Sequence, residues 1–261
     1  MKKNYFSKIA TLANPLVTSV AEKTWKNMTT AWLLALFTLL GFSDAFGQIA
    51  QRGTATSATS TTTTITINKP TGVVTGDVML VNISSIGAGG SNLTAPTSTG
   101  WTLIQGAQIT QTTRYGAVLY KIATSSEPAS YTFTLNTDVT NTVGAIVAFS
   151  GVDNSTPLDV ASPAFGSGNN LTTVTATGLT SVTNNAAILM FAVSGSSGTT
   201  WTGWSTATPV TALTELFDAA QATSVSVGGA WAIRATAGAT GNGTATLTSS
   251  RAGAILVALR P

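Results

Sequence analysis

The chain has 261 residues with 12 Lys or Arg, 9 Asp or Glu, no His and no Cys, and only 8% of its residues are charged, against roughly 25% in an ordinary soluble domain. The lack of His and Cys excludes thiol catalysis, disulfide scaffolds, Cys/His zinc sites and every mechanism with a histidine base. Five of the basic and two of the acidic residues precede Gln48, which accounts for the whole excess of +3 and leaves seven of each sign in the remainder. Nothing in that balance calls for nucleic acid or an anionic membrane as partner.

Residues 1–47 read as a cleaved signal peptide with a long basic n-region. Lys2, Lys3, Lys8, Lys23 and Lys26 precede the apolar run Ala31 to Phe42, which is too short for a membrane span of about 20 residues. Ser43, Asp44, Ala45, Phe46 and Gly47 then supply the small-residue step expected before a cleavage at Gln48. Two alternatives are a retained signal anchor and a translation start at Met28.

From Gln48 onward the pattern is that of strands. Thr61 to Asn68 alternates, Val78 to Ile83 is a short apolar run, and Tyr115 to Ile122, Tyr131 to Leu135 and Val143 to Phe149 follow, each bounded by Gly, Pro, Asn or Ser. Period-two patterning in β-branched and aromatic residues between closely spaced turns predicts a sandwich or barrel. The one helical candidate is Ala212 to Ala222, which lies between strand-like stretches.

An internal repeat with an offset near 110 residues organises this part of the chain. Gly76 to Ser84 aligns with Ala186 to Ser194, Val118 to Ala123 with Gly229 to Arg234 (Tyr120 opposite Trp231), Tyr131 to Leu135 with Thr244 to Leu247, and Val143 to Phe149 with Ala252 to Leu259. Two copies are too few for a solenoid. The expected fold is therefore an all-β, jelly-roll-like antiparallel β-sandwich built from two internal repeats. It forms a single domain over 48–261, with halves at about 54–160 and 161–261 and about ten to twelve strands, each half contributing to both sheets.

Five stretches carry a family resemblance: Gly76-Asp77-Val78-Met79-Leu80, Thr99-Gly100-Trp101-Thr102-Leu103, Leu119-Tyr120-Lys121-Ile122-Ala123, Ser126-Glu127-Pro128-Ala129-Ser130-Tyr131-Thr132-Phe133, and Gly151-Val152-Asp153 with Pro157-Leu158-Asp159. In this order they resemble a family of extracellular β-sandwich domains found in secreted and surface proteins of bacteria and in some phage tail-associated proteins, usually without an assigned activity. The resemblance runs from about Thr54 to Pro261 and implies an exported binding or structural module with no catalytic residues. The leader is similar to those of large adhesins exported by gliding Gram-negative bacteria, which implies an extracellular or cell-surface location. The C-terminal sorting domain of that export route does not follow the last strand, so either a short member or a piece of a longer chain is expected.

The candidate chemistry is sparse. The mature acids are Asp77, Glu127, Asp138, Asp153, Asp159, Glu215 and Asp218, expected to solvate turns and edge strands. An acid-pair hydrolase would need Glu215 or Asp218 to face another carboxylate across a cleft, and no catalytic motif accompanies them. Asp153, Asn154 and Asp159 offer hard oxygen ligands for Ca²⁺ in one loop, against the alternative of ordinary Asx-turn chemistry. Trp201 and Trp204, in the Gly/Thr stretch 198–204, are the candidate carbohydrate-stacking residues. Together these features predict a non-catalytic module with an adhesion or structural role in an extracellular assembly, binding a surface glycan or protein. The alternative is a carbohydrate-binding module that uses exposed Trp residues.

Overall fold

Strands account for every regular element in the computed structural model, which describes residues 48–195, 199–222 and 224–261. The predicted signal peptide lies outside the described residues. In chain order the first eight strands are β1 (Ala50–Gln51), β2 (Thr56–Ser60), β3 (Thr64–Asn68), β4 (Val78–Gly87), β5 (Thr102–Gln108), β6 (Arg114–Ile122), β7 (Ser130–Thr134) and β8 (Val139–Ser150). The other nine are β9 (Gly166–Ala176), β10 (Thr180–Ser181), β11 (Ala186–Ser194), β12 (Thr202–Ala207), β13 (Val210–Ala212), β14 (Thr214–Gln221), β15 (Val225–Arg234), β16 (Gly238–Ala239) and β17 (Gly243–Leu259). The helical candidate at 212–222 forms β14. Its apolar residues have side chains to pack on a neighbouring sheet, and a strand exposes its alternate positions as well as a helix would.

The architecture corrects the expected mixing of halves. All strands of the first large sheet, ordered β1-β8-β4-β6-β5 with β2 also on β8, come from residues 50–150. Those of the second, β13-β12-β17-β11-β15-β14 with β9 on β17, come from residues 166–259. All pairings within both sheets are antiparallel. The two sheets stack face to face over a central core to which both contribute: Val78, Leu80, Val147 and Phe149 from one, Leu189, Phe191, Val227 and Val257 from the other.

Each sheet also buries its second face. Under the first sheet, Met79, Val81, Ile83 and Ile146 meet Ile65 and Ile67 of β3 and Tyr131 and Phe133 of β7, which pair as a small separate sheet. In the second half, Ile188, Met190 and Leu256 meet Val174, Ala245 and Leu247. There β9 and β17 are long enough to serve both layers, and β17 changes register between Thr246 and Ala252 as it passes from one to the other. Three apolar layers thus replace the single core of a simple sandwich, which is why β4 is buried at eight successive positions and β11 at all nine.

Strand order and register match between the sheets, β8-β4-β6-β5 against β17-β11-β15-β14. Leu80 lies between Tyr120 and Val147, and Leu189 between Trp231 and Val257. A register irregularity falls at Leu103/Gln105 in β5 and at Glu215/Phe217 in β14. The aligned pair Tyr120 and Trp231 therefore occupies matching places. The aligned pair Gly76–Ser84 and Ala186–Ser194 is one residue out of step, since it sets Val78 of the central core against Ile188 of the outer one. A one-residue slip exchanges the two faces of a strand. Where both faces are apolar, the sequence carries no mark of which is which.

Candidate functional site

Trp201 and Trp204 do not form an exposed platform. Trp201 is 0% and Trp204 5% exposed, and their rings lie 6.0 Å apart, tilted by 37°, within the outer core of the second half. Gly228 makes the room. A Cβ at that position would come within 2.7 Å of Trp201 and 2.8 Å of Trp204, and one on the next residue, Gly229, would meet the Phe217 ring at 2.7 Å. The Gly-Gly pair inside β15 marks the close approach of aromatic rings on both faces of the strand.

The acids predicted as a possible catalytic pair hold this indole layer in place. Trp204 Nε1 donates to Glu215 Oε2 at 3.1 Å, and the Trp201 backbone N–H donates to Asp218 Oδ2 at 2.8 Å. Trp201 Nε1 donates to the buried Ser226 hydroxyl at 3.2 Å. Burial, and then the nearby charge of Glu215, push the Asp218 carboxyl above its ordinary range, against the stabilising Trp201 N–H. The irregularity between Glu215 and Phe217 lets both carboxylates reach the same edge of β14.

Asp153 accepts hydrogen bonds from its own loop and Asp159 from the residues that follow β10, and Asp159 also faces Arg260. Asp153 Oδ1 accepts from the Ser155 and Thr156 N–H groups at 2.7 and 3.4 Å, and Oδ2 from the Thr156 hydroxyl at 2.8 Å. These bonds hold its carboxyl below the usual range, the Thr156 hydroxyl most strongly and the Arg260 charge least. Asp159, 4% exposed, accepts from the Val182 N–H at 2.7 Å, the Thr183 N–H at 3.4 Å and the Thr183 hydroxyl at 2.7 Å. Arg260 lies 3.5 Å from Asp159 Oδ1 and donates to the Asp159 carbonyl and the Thr156 hydroxyl, both at 3.2 Å. No bond of the Asn154 amide joins this set, and among the described residues no three acids gather as a metal site would require. N–H, O–H and guanidinium donors take up lone pairs of Asp153 and Asp159 that a hard cation would use.

Two further acids expected at the surface are turned inward. Asp77, 3% exposed, receives Arg52 Nε and Nη2 at 3.0 and 3.3 Å and the Val74 N–H at 2.9 Å. Glu127 receives the Thr124 N–H and hydroxyl at 2.8 and 2.9 Å, the Tyr131 hydroxyl at 2.7 Å and Lys121 Nζ at 3.3 Å. Burial acts to raise the Glu127 pKa, but these donors outweigh it and hold the carboxyl low. The Glu127 clasp ties its loop to β6 and β7, and the Asp77 clasp joins the residue that follows β1 to the turn that precedes β4.

A cavity of about 300 Å³ opens beside the Trp layer and shares Leu213 with it. Ile188, Leu213 and Ala232 give it an apolar floor, and Thr206, Thr211 and Thr240 supply hydroxyls. Arg234 stands at its wall, donating Nη1 to the Thr208 carbonyl at 2.8 Å while its buried Nε has no partner. Such a lining suits a small group with an apolar body and hydrogen-bond acceptors. Sequence reasoning missed it, since Arg234 reads as one more isolated charge at the end of a strand. Among the described residues no helix is long and apolar enough to cross a membrane. Comparison of the chain with family models, with curated proteins and with solved structures found no match.

Proposed function

We propose that the chain is a non-catalytic module of the cell surface or extracellular space of a Gram-negative bacterium, with an adhesive or structural role in an extracellular assembly. It is akin to the exported β-sandwich domains that its motifs resemble. The observation that carries this reading is how the charged groups are spent. Asp77, Glu127 and Asp159 are committed to clasps, and the outer sheet faces carry neutral hydroxyls. Thr64 and Thr66 of β3 stand opposite Thr134 and Thr132 of β7, all exposed, with the Thr66 and Thr132 hydroxyls 2.8 Å apart. On the second half Thr173 and Thr175 of β9 stand opposite Thr246 and Thr244 of β17. Broad, rigid, uncharged polar faces suit contact with other polar surfaces and do not gather charge around a reacting group.

The alternative of a carbohydrate module that stacks sugars on Trp201 and Trp204 loses its geometric basis with the burial of both rings. Surface labelling and protease shaving of intact cells test the location, and glycan and host-matrix arrays probed with the purified protein test the role. A protein retained inside the cell, or turnover of a glycan substrate, would overturn the reading.

A further inference from the structure

Among the residues that line the cavity beside the Trp layer, Arg234 alone carries a charge. It ends β15 on the same side of the strand as Ala232, which stands opposite Ile188 of β11. A strand turns alternate residues to one face, so the Arg234 stem leaves the sheet toward the outer layer that holds Ala232, Ile188, Leu213 and the Trp rings. Arg234 forms no ion pair among the described residues. Nη1 donates to the Thr208 carbonyl at 2.8 Å, and Nε is buried without a partner. Nη2, which donates to no described atom, rests near Gly238, where a Cβ would come within 3.1 Å of it. A guanidinium carries five N–H donors, so most of the capacity of this one is unspent.

The hydroxyls of the lining differ in the same respect. Thr211 donates to the Pro209 carbonyl, and Thr240 donates to the Leu179 and Gly241 carbonyls. Thr206 is only 5% exposed, yet its hydroxyl bonds to no described atom, and it faces the cavity from β12. No carboxylate lines the cavity. Glu215 stands opposite Ala230, about 13 Å from Arg234 along β15, and is held by Trp204 Nε1.

We propose that this cavity binds a small organic acid. Its carboxylate meets the Nη edge of Arg234, its apolar body lies on Ile188, Leu213 and Ala232, and the Thr206 hydroxyl adds a further donor. The planar fork of a guanidinium matches a carboxylate edge. One cation beside an apolar floor suits a single negative charge, since a phosphate dianion would leave oxygens desolvated without donors. A volume of about 300 Å³ is at the small end for ligand pockets and fits a body of one ring or a short branched chain. The site stands whether or not the protein is adhesive.

The test is a titration of the purified protein with sodium benzoate and, separately, sodium isocaproate, each against sodium chloride at matched ionic strength. Benzamide serves as the uncharged control of the same shape and acetate as the acid without a body. The methyl signals of Ile188 and Leu213 and the Nε–H signal of Arg234 are followed by NMR, with Tm alongside. Benzoate, isocaproate or both should move these signals together along a saturable curve in the millimolar range and raise Tm above the chloride control. Benzamide and acetate should bind at least several-fold more weakly. Arg234→Met, which keeps an apolar stem, should weaken benzoate binding about tenfold or more, to the level of benzamide. Thr206→Val, close in shape to the parent, should weaken it several-fold and keeps the test open if the Arg234 variant folds poorly. No saturable shift with either acid, benzamide binding as tightly as benzoate, or benzoate affinity unchanged in the variants would overturn the proposal.

Discussion

Asn82 offers the sharpest test of how the two halves are joined. Its side chain lies in the central core at 0% exposure, and Nδ2 donates across the sheet interface to the Ala192 and Gly228 carbonyls at 2.9 and 3.2 Å. Ser84 Oγ repeats the motif two residues on, donating to the Ser194 carbonyl at 2.9 Å. Asn82→Ala removes two buried hydrogen bonds of about 0.5–1.5 kcal/mol each. It also removes Oδ1, a buried acceptor without a partner, whose loss returns about 1 kcal/mol. The net cost is therefore about 0–2 kcal/mol, centred near 1 kcal/mol, which corresponds to a fall in Tm of about 2–4 °C for a domain of this size. Asn82→Asp should cost more, about 3 kcal/mol or above, because it sets a carboxylate against two carbonyl oxygens in a dry interior. Calorimetry and urea unfolding monitored by circular dichroism measure both. A single cooperative transition that moves down in the order wild type, Ala, Asp is expected. Two separate transitions in the wild type, or an Asn82→Ala variant at least as stable as its parent, would refute the idea that these cross-sheet bonds make one folding unit.

The remaining predictions concern the corrected sites. Trp201 and Trp204 should be shielded from acrylamide and iodide in the native state, and Trp201→Ala should cost about 3–5 kcal/mol, measured by denaturant unfolding, with no specific effect on glycan binding. Millimolar calcium or EDTA should leave Tm unchanged, whereas Arg260→Ala should lower it by stranding the buried Asp159 carboxylate. The Glu127 carboxyl is held low in the folded state, so its contribution is complete above its unfolded pKa near 4.3 and is lost as pH falls through the folded value. Glu127→Gln should accordingly cost about 1–2 kcal/mol at pH 7 and converge with wild type in unfolding experiments as the pH falls below the folded value. Asp218 has the opposite sign: its raised pKa means that the charged form is disfavoured in the folded protein. Asp218→Asn, which keeps an acceptor for the Trp201 N–H, should therefore be neutral or slightly stabilising at pH 7 and lose any advantage in acid.

Strand content was legible because β-branched alternation and Gly/Asn/Ser turns act locally. Residues such as Ile65, Ile67, Tyr131 and Phe133 announced their inward faces, with Thr at every exposed position between them. Layer number was not legible. Val78 to Ile83 and Ala186 to Val193 are apolar on both faces, so their composition reports burial without reporting against what, and the alignment of the two stretches slipped by one residue. Trp201 and Trp204 looked exposed because Gly and Thr surround them. The informative signal lay about 25 residues later, in Gly228-Gly229, where a strand gives up side chains to admit rings. The acids misled for a related reason: nothing near Asp77 or Asp159 in sequence shows that Arg52 and Arg260 will fold onto them.

The passage of β17 through both layers of its half has a mechanical side. A pull on its C-terminal end would act along the strand, which β11 holds over Ala252–Leu259 and β9 holds over Gly243–Ala254. Hydrogen bonds loaded lengthwise in this way must yield together, unlike those of a hairpin peeled from its end, which break one at a time. The Arg260–Asp159 clasp sits next to the point where such tension would enter. A body held under flow or traction would resist extraction best when tethered through this strand.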